Sequence, residues 1–283
     1  MSFSASWLAL REPHDHAARA PALTKRLCTF LQRPTSAGPL QILDLACGSG
    51  STLRYLAPRL RGPQHWSMVD NDENLLALVA ERAERAELTG PARPAGQALD
   101  PAIDAQTVRL DLAAGLNRLP LAGVDLVTAS ALLDLVSAHW LDRLVAAVTA
   151  RKPALLLALS YDGSMAWQPL LPDDRWVESL FNRHQLTDKG FGPALGPAAA
   201  AQAALRLGAA GFSVSQAASP WRLGAADRAL QRELAESMVA ALADHYPADA
   251  ARLRRWLGER IVMIDAGAST LRVGHADLLA LPC

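Results

Sequence analysis

Between Leu40 and Ser160 the chain alternates short apolar runs with longer amphipathic stretches, a rhythm few folds satisfy. LQILDLA (Leu40–Ala46) is a short apolar run entering a glycine turn, the pattern of a buried parallel strand, and HWSMVD (His65–Asp70), QTVRLDL, GVDLVTAS and PALLLALS are further strand-sized segments. STLRYLAPRL, NDENLLALVAERAERAEL and SAHWLDRLVAAV lie between them at helical spacing, the second with Asn71 or Asp72 placed to cap it. Strands separated by helices pair in parallel through right-handed crossovers. The fold class this predicts is α/β, a doubly wound and mostly parallel sheet.

After Ser160 the rhythm loosens. FSVSQAAS (Phe212–Ser219) and TLRVGHADLLAL near the end bring the expected strand number to seven, the last running antiparallel at the edge region of the sheet. The intervals at about 161–211 and 220–268 read as helical cap insertions, and residues 1–38 as an N-terminal helical cap with one helix over Pro13–Gln32 ending in the turn-rich RPTSAGP. Residues 39–283 form the main domain.

The chemistry concentrates at DLACGSG, Asp44–Gly50, where the first strand ends. Ligands of open α/β sheets bind beyond the carboxyl ends of the strands. Gly48 and Gly50 allow backbone to approach a ligand, and the next helix offers its N-terminal N–H groups. Asp70 closes the second strand, where a carboxylate can accept both ribose hydroxyls. Asp111 and Leu112 follow the third, suited to a purine edge and face. A nicotinamide-binding fingerprint would need a third glycine where Leu53 stands, and Asp44 before the turn opposes a pyrophosphate but suits an ammonium.

Composition narrows the partners. Lys plus Arg and Asp plus Glu are both 28, which argues against a nucleic-acid surface. The basic run ARLRRWLGER (Ala251–Arg260) has helical spacing and reads as a solvated helix face. Three cysteines, Cys28, Cys47 and Cys283, form no CxxC pair, which fits a reducing, cytoplasmic setting. Cys47 reads as a small filler within the turn. No apolar run reaches the roughly 20 residues of a membrane helix, and the N-terminus lacks a signal-peptide pattern.

ILDLACGSG with VDNDENLL, RLDL and VDLVTAS resembles the cofactor-binding core of class I S-adenosylmethionine-dependent methyltransferases, over roughly Leu40–Ser160. The resemblance implies a Rossmann-like fold, S-adenosyl-L-methionine as cofactor and methyl transfer. By position it sets Ala46 and Gly48, with Gly50, against the methionyl part, Asp44 near its amino group, Asp70 on the ribose and Asn71 beside the adenine. Asp111 and Leu112 would read the adenine edge, and Ser130 would face the transferring methyl. Arg19, or Arg11, is a candidate partner for the methionyl carboxylate.

The acceptor is less constrained. No Asn/Asp-Pro-Pro-Tyr tetrapeptide follows the fourth strand, no Pro-Cys exists, and no acidic pair or histidine spacing suggests a metal. These absences favour a small-molecule acceptor methylated on O or N, handled by a monomer or homodimer without a metal. Catalytic candidates are His184, Tyr161 and Asp134. His184 lies in FNRHQLTDKGFGPALGP (Phe181–Pro197), whose glycines, prolines and polar side chains suit an acceptor lid or an ordinary long loop. Tyr161 follows the fifth strand and offers a stacking face or a phenol; Asp134 follows the fourth. Alternatives on the same fold are an aminopropyl-type transferase, for which Asp162, Asp173 and Asp174 would hold a polyamine, and a catalytically silent cofactor-binding protein.

Overall fold

The computed structural model describes residues 4–32, 38–84 and 103–283, the side chains of 82–84 excepted. The linker RPTSAGP and the end of the predicted ERAERAEL helix fall largely outside them. In chain order the elements are α1 (Ala5–Ala18), α2 (Pro21–Phe30), β1 (Leu40–Leu45), α3 (Ser51–Leu56), β2 (Gln64–Asp70), α4 (Glu73–Glu84), β3 (Ile103–Arg109), α5 (Leu112–Gly115) and β4 (Leu126–Ser130). Then come α6 (Ala138–Thr149), β5 (Ala154–Gln168), α7 (Asp174–Gln185), α8 (Ala199–Ala209), β6 (Phe212–Ala218), β7 (Trp221–Leu223), α9 (Arg228–His245), α10 (Ala250–Asp265) and β8 (Thr270–Pro282).

The strands form one sheet in the order β3-β2-β1-β4-β5-β8-β6, with the three-residue β7 also paired to β8. β1 to β5 are parallel, and β8 runs antiparallel to both β5 and β6. The last strand therefore lies inside the sheet, not at its edge. Its DLLALP end is buried on both faces, a pattern only an interior strand satisfies. Leucine and valine side chains of both faces are fully buried (Leu43, Leu45, Leu126, Leu155 and Leu279 among them), each contributing about 1.5–3 kcal/mol.

Two further departures have local causes. The predicted single N-terminal helix is two, broken at Arg19–Ala20. Pro21 supplies no N–H and disfavours helical geometry at Ala20, which is extended with ψ 106°. The first helix starts earlier than expected, at Ser4, whose hydroxyl accepts from Trp7 N–H at 3.1 Å. β5 runs on through Tyr161–Gln168, so the first insertion begins as sheet. Its Asp-Gly reads as a turn but sits in a bulge against β8, with Gly163 at φ 91°.

α8, expected within that insertion, packs on the sheet through Ala199, Ala203 and Leu207. The cap proper is the extended β5, β7 and β8 strands covered by α7, α9 and α10, with its own core of Trp167, Leu180, Trp221, Met238, Leu242 and Trp256. Arg260, read as part of a solvated face, has no exposed surface. It forms a bidentate pair with Asp174 at 2.7 Å, and Asp174 also accepts from Trp256 Nε1 at 2.8 Å. At the far end of the same run Arg252 stacks on Trp176 and pairs with Asp173.

Candidate functional site

The turn after β1 is built on unusual backbone. Ala46, Gly48 and Gly50 all have positive φ, 51°, 54° and 87°. Gly48 donates its N–H to Asp70 Oδ2 at 2.8 Å, while Asp70 Oδ1 accepts from Asp72 N–H at 3.0 Å. One carboxylate at the end of β2 thus holds both the glycine turn and the start of α4. Each of its oxygens keeps a second lone pair for a ligand hydroxyl. Asp72 caps α4 through Asn74 N–H. Asp111 likewise caps α5 through Ala113 N–H at 2.9 Å, leaving its exposed carboxylate facing the same space.

A cavity of about 320 Å³ opens beyond these strand ends. Ala46, Gly48, Asp70, Asn71, Asp111, Leu112 and Ser130 line it together, as the sequence positions suggest, with Cys47, Leu8 and Phe191 added. Burial raises the Cys47 thiol well above its ordinary value, so it stays protonated. Three expected residues do not line the cavity. Gly50 points into the protein, where an added Cβ would meet Arg54, Val79 and Met68. Asp44 and Arg19 lie beneath the floor, fully or nearly buried.

These two buried charges are incompletely matched. Thr128 donates to Asp44 Oδ1 at 2.6 Å, but Oδ2 has no partner, and burial raises Asp44 to about 7. Arg19 Nη2 donates to Ser130 Oγ at 3.2 Å and Thr52 Oγ1 at 3.4 Å, yet Nε and Nη1 have none. One unsatisfied carboxylate and one unsatisfied guanidinium beneath a single floor match the ammonium and carboxylate of an amino-acid zwitterion.

α1 roofs the cavity. Glu12 pairs with Arg54, His16 Nε2 hydrogen-bonds Ser51 at 3.0 Å, and Leu8 reaches within 3.2 Å of where a Gly48 side chain would begin. Arg11, further along the same face, forms a bidentate pair with Asp15 at 2.9 and 3.1 Å and stacks on Trp221 at 4.9 Å.

A second cavity, about 400 Å³, lies under the cap. Arg11, Ala131, Leu135 and Lys189 line both, so the two spaces meet at the end of β4. Asp134, Tyr161 and His184, expected as catalytic candidates, all line this second cavity. Burial raises Asp134 to about 6, against the lowering influence of its own backbone N–H and that of Tyr161, and its Oδ1 is unpartnered. The Tyr161 hydroxyl donates to Asn182 Oδ1 at 2.9 Å, and burial raises the phenol further, so its ring rather than its proton faces the space. Burial, with Lys189 and His245 nearby, lowers His184.

The glycine-rich segment closes this region. Asp188 Oδ1 accepts from Gly190 and Gly192 N–H, which throws Lys189 inward and lets Phe191 pack edge-on to Trp140 at 5.7 Å. Lys189 Nζ donates to His184 O at 3.0 Å and Thr187 Oγ1 at 2.9 Å. His275, absent from the sequence candidates, also lines the second cavity with Nδ1 unpartnered, edge-on to Tyr161 and tilted against Trp221, and burial lowers it to about 4. The signal was present: Leu271, Val273 and His275 alternate along β8 and share the cap-facing side.

The parallel core, the reversed β8 between β5 and β6, and a cavity at the strand ends define the class I S-adenosylmethionine-dependent methyltransferase fold. Among solved structures, the chain is similar to the cyclopropane synthase MmaA2 from Mycobacterium tuberculosis, with a TM-score of 0.52 and 14% identity over 98% of this chain and 94% of that one. A methyltransferase from Geobacter sulfurreducens, in complex with S-adenosyl-L-homocysteine, gives 0.47 and 14% over 100% and 99%. One from Thiobacillus denitrificans gives 0.46 and 15% over 99% and 100%. The fold assignment rests on the first of these with the strand order. No family model matches the sequence, and no curated protein matches it. No described helix is long and apolar enough to cross a membrane, and the described residues hold no cluster suited to a metal ion.

Proposed function

We propose that the protein binds S-adenosyl-L-methionine in the first cavity and transfers its methyl group to an O or N atom of a small molecule in the second. The observation that carries this reading is the junction of two cavities at Ala131 and Leu135, one walled by nucleoside-binding chemistry and the other by the cap. In it Asp70 accepts the ribose hydroxyls, Asn71, Asp111 and Leu112 flank the base, and Ala46 and Gly48 clear space for the methionyl chain. Asp44 and Arg19 take the amino and carboxylate groups, Arg19 both directly and through Ser130. Gly50 serves the turn's conformation. The cofactor supplies an electrophilic methyl group.

The chain's contribution is placement, which supplies up to about 7–11 kcal/mol in a displacement of this kind. α1 and the Lys189–Phe191 lid exclude water, and Ala131 at φ 52° turns the backbone away from the junction. Asp134 accepts the acceptor's proton, Tyr161 presents its ring, and His184 sets Lys189, whose Nζ lies 3.4 Å from its Nδ1. The aminopropyl alternative loses its motivation: Asp173 and Asp174 are paired with Arg252 and Arg260, Asp162 binds Ser164, and none lines either cavity. The test is turnover against a panel of small hydroxyl and amine acceptors, read as S-adenosylhomocysteine released. No release from a panel that includes both classes, with cofactor bound, would leave a binding protein.

A further inference from the structure

The second cavity is apolar and aromatic over most of its wall, from Trp7, Tyr161, Met165, Phe181, Trp221 and Met238. Of its charged lining groups, Arg11 and Lys189 also line the first cavity, Asp134 and His275 adjoin Tyr161, and Glu233 is exposed on α9. Asp134, Tyr161 and His275 line this cavity together, and His275 is the cross-strand partner of Tyr161. The charge of Arg11 is felt by both Asp134 and His275. Arg11 is already neutralised by Asp15. Lys189 is not: it is 7% exposed, its three partners are neutral, and among the described residues no carboxylate lies within ion-pair distance. Asp134 is equally buried, with one oxygen unpartnered. His275, in its neutral form, adds no charge.

We infer that the acceptor is an aromatic hydroxyl compound, bound with its O–H on Asp134 and its developing oxyanion beside Lys189; this rests on the cofactor reading above. Charge balance selects the class. An ammonium acceptor would add a cation next to Lys189, Arg11 and a sulfonium. A carboxylate would face the Asp134 carboxylate and bring it no proton. A neutral hydroxyl gives its proton to Asp134, and the remaining oxyanion then pairs with Lys189, so neither buried side chain keeps an uncompensated charge. An aromatic hydroxyl, with acidity like that of tyrosine at about 10, is within reach of such a site. The ring fits the aromatic wall. In the transfer the oxygen's electron pair forms the O–C bond, the C–S bond breaks with its pair going to sulfur, and Asp134 later releases its proton to water.

The test titrates S-adenosylhomocysteine-loaded protein with 4-nitrophenol, 4-nitrobenzylamine and 4-nitrobenzoate, following heat and, for the phenol, the phenolate absorbance. The phenol is expected to bind at least about tenfold tighter than either analogue. Asp134→Asn is expected to weaken it at least about tenfold with S-adenosylhomocysteine affinity unchanged. Lys189→Met, which keeps the volume, is expected to suppress the phenolate band and carries the test should Asp134→Asn not fold. Equal binding of the amine or the benzoate, or unchanged phenol affinity in either folded variant, overturns the inference. Failure of S-adenosylhomocysteine to bind while the phenol preference persists overturns the cofactor reading alone.

Discussion

The two cavities are made in different ways. The first takes most of its wall from single turns that follow consecutive strands: Ala46–Gly48 after β1, Asp70–Asp72 after β2, Leu110–Ala113 after β3 and Ser130–Leu132 after β4. The second gathers α1, the turn after β4, the extended β5, α7, α9 and β8, elements spread over nearly the whole chain. A wall made of strand ends is fixed by the core of the sheet, which any doubly wound sequence must bury. A wall made of a cap depends on a separate core, centred on Trp167, Trp256 and the buried Arg260–Asp174 pair. The first cavity is thus held by the fold itself, and the second by side-chain packing that could be altered without disturbing it.

That division is breakable. The largest effect belongs to Asp174→Ala, which leaves the Arg260 guanidinium buried and uncompensated, a change that costs about 3–5 kcal/mol. Denaturant unfolding followed by tryptophan emission should show the cap core loosening, while far-UV signal from the sheet persists to higher denaturant. A single coincident transition by both probes, at a lowered midpoint, would show that the two halves are one unit. Next is Asp70→Ala, which removes a charged acceptor from Gly48 N–H, Asp72 N–H and the proposed ribose. At about 1.5–3 kcal/mol per charge-assisted bond, S-adenosylhomocysteine affinity should fall at least about 100-fold by calorimetry, with the cap's stability unchanged.

His184→Ala sharpens the comparison from the acceptor side. It releases Lys189, which both cavities share, while His184 itself lines only the second, so turnover should fall about tenfold or more with far less change in cofactor affinity. Equal loss of both would make the segment scaffold. The last test is a pH dependence. Asp44 is raised from its ordinary value to about 7 by burial, so the folded state holds its proton more tightly than the unfolded chain. Its contribution to stability is complete below about pH 4 and is lost as pH rises through about 7. Denaturation midpoints of the ligand-free protein should therefore decline over that window more steeply than those of Asp44→Asn. His275, lowered to about 4, acts in the opposite sense in both proteins and drops out of the difference.

The nucleoside half was legible because its determinants are local. The apolar run, the glycine turn and the carboxylate at a strand end occur within a few residues of one another, so Asp70, Asn71, Asp111 and Leu112 are placed once the strands are. The second cavity was legible only in part. Asp134, Tyr161 and His184, which line it, were named because each follows or joins a recognisable element. His275 was not singled out, because its position depends on β8 lying inside the sheet, and Arg11 was read only toward the methionyl carboxylate, because its place between both cavities depends on how α1 folds. The extent of β5 was hidden for a similar reason. Asp162 and Gly163 look like a turn until the partner strand that accepts their bulge is known.

The central claim is that the first cavity is a cofactor site for S-adenosyl-L-methionine and not for a dinucleotide. Calorimetric titration of the wild-type protein with S-adenosylhomocysteine and, separately, with NADH tests it most directly. Saturable binding of S-adenosylhomocysteine with no heat from NADH is the result the structure predicts; binding of NADH without S-adenosylhomocysteine would contradict it.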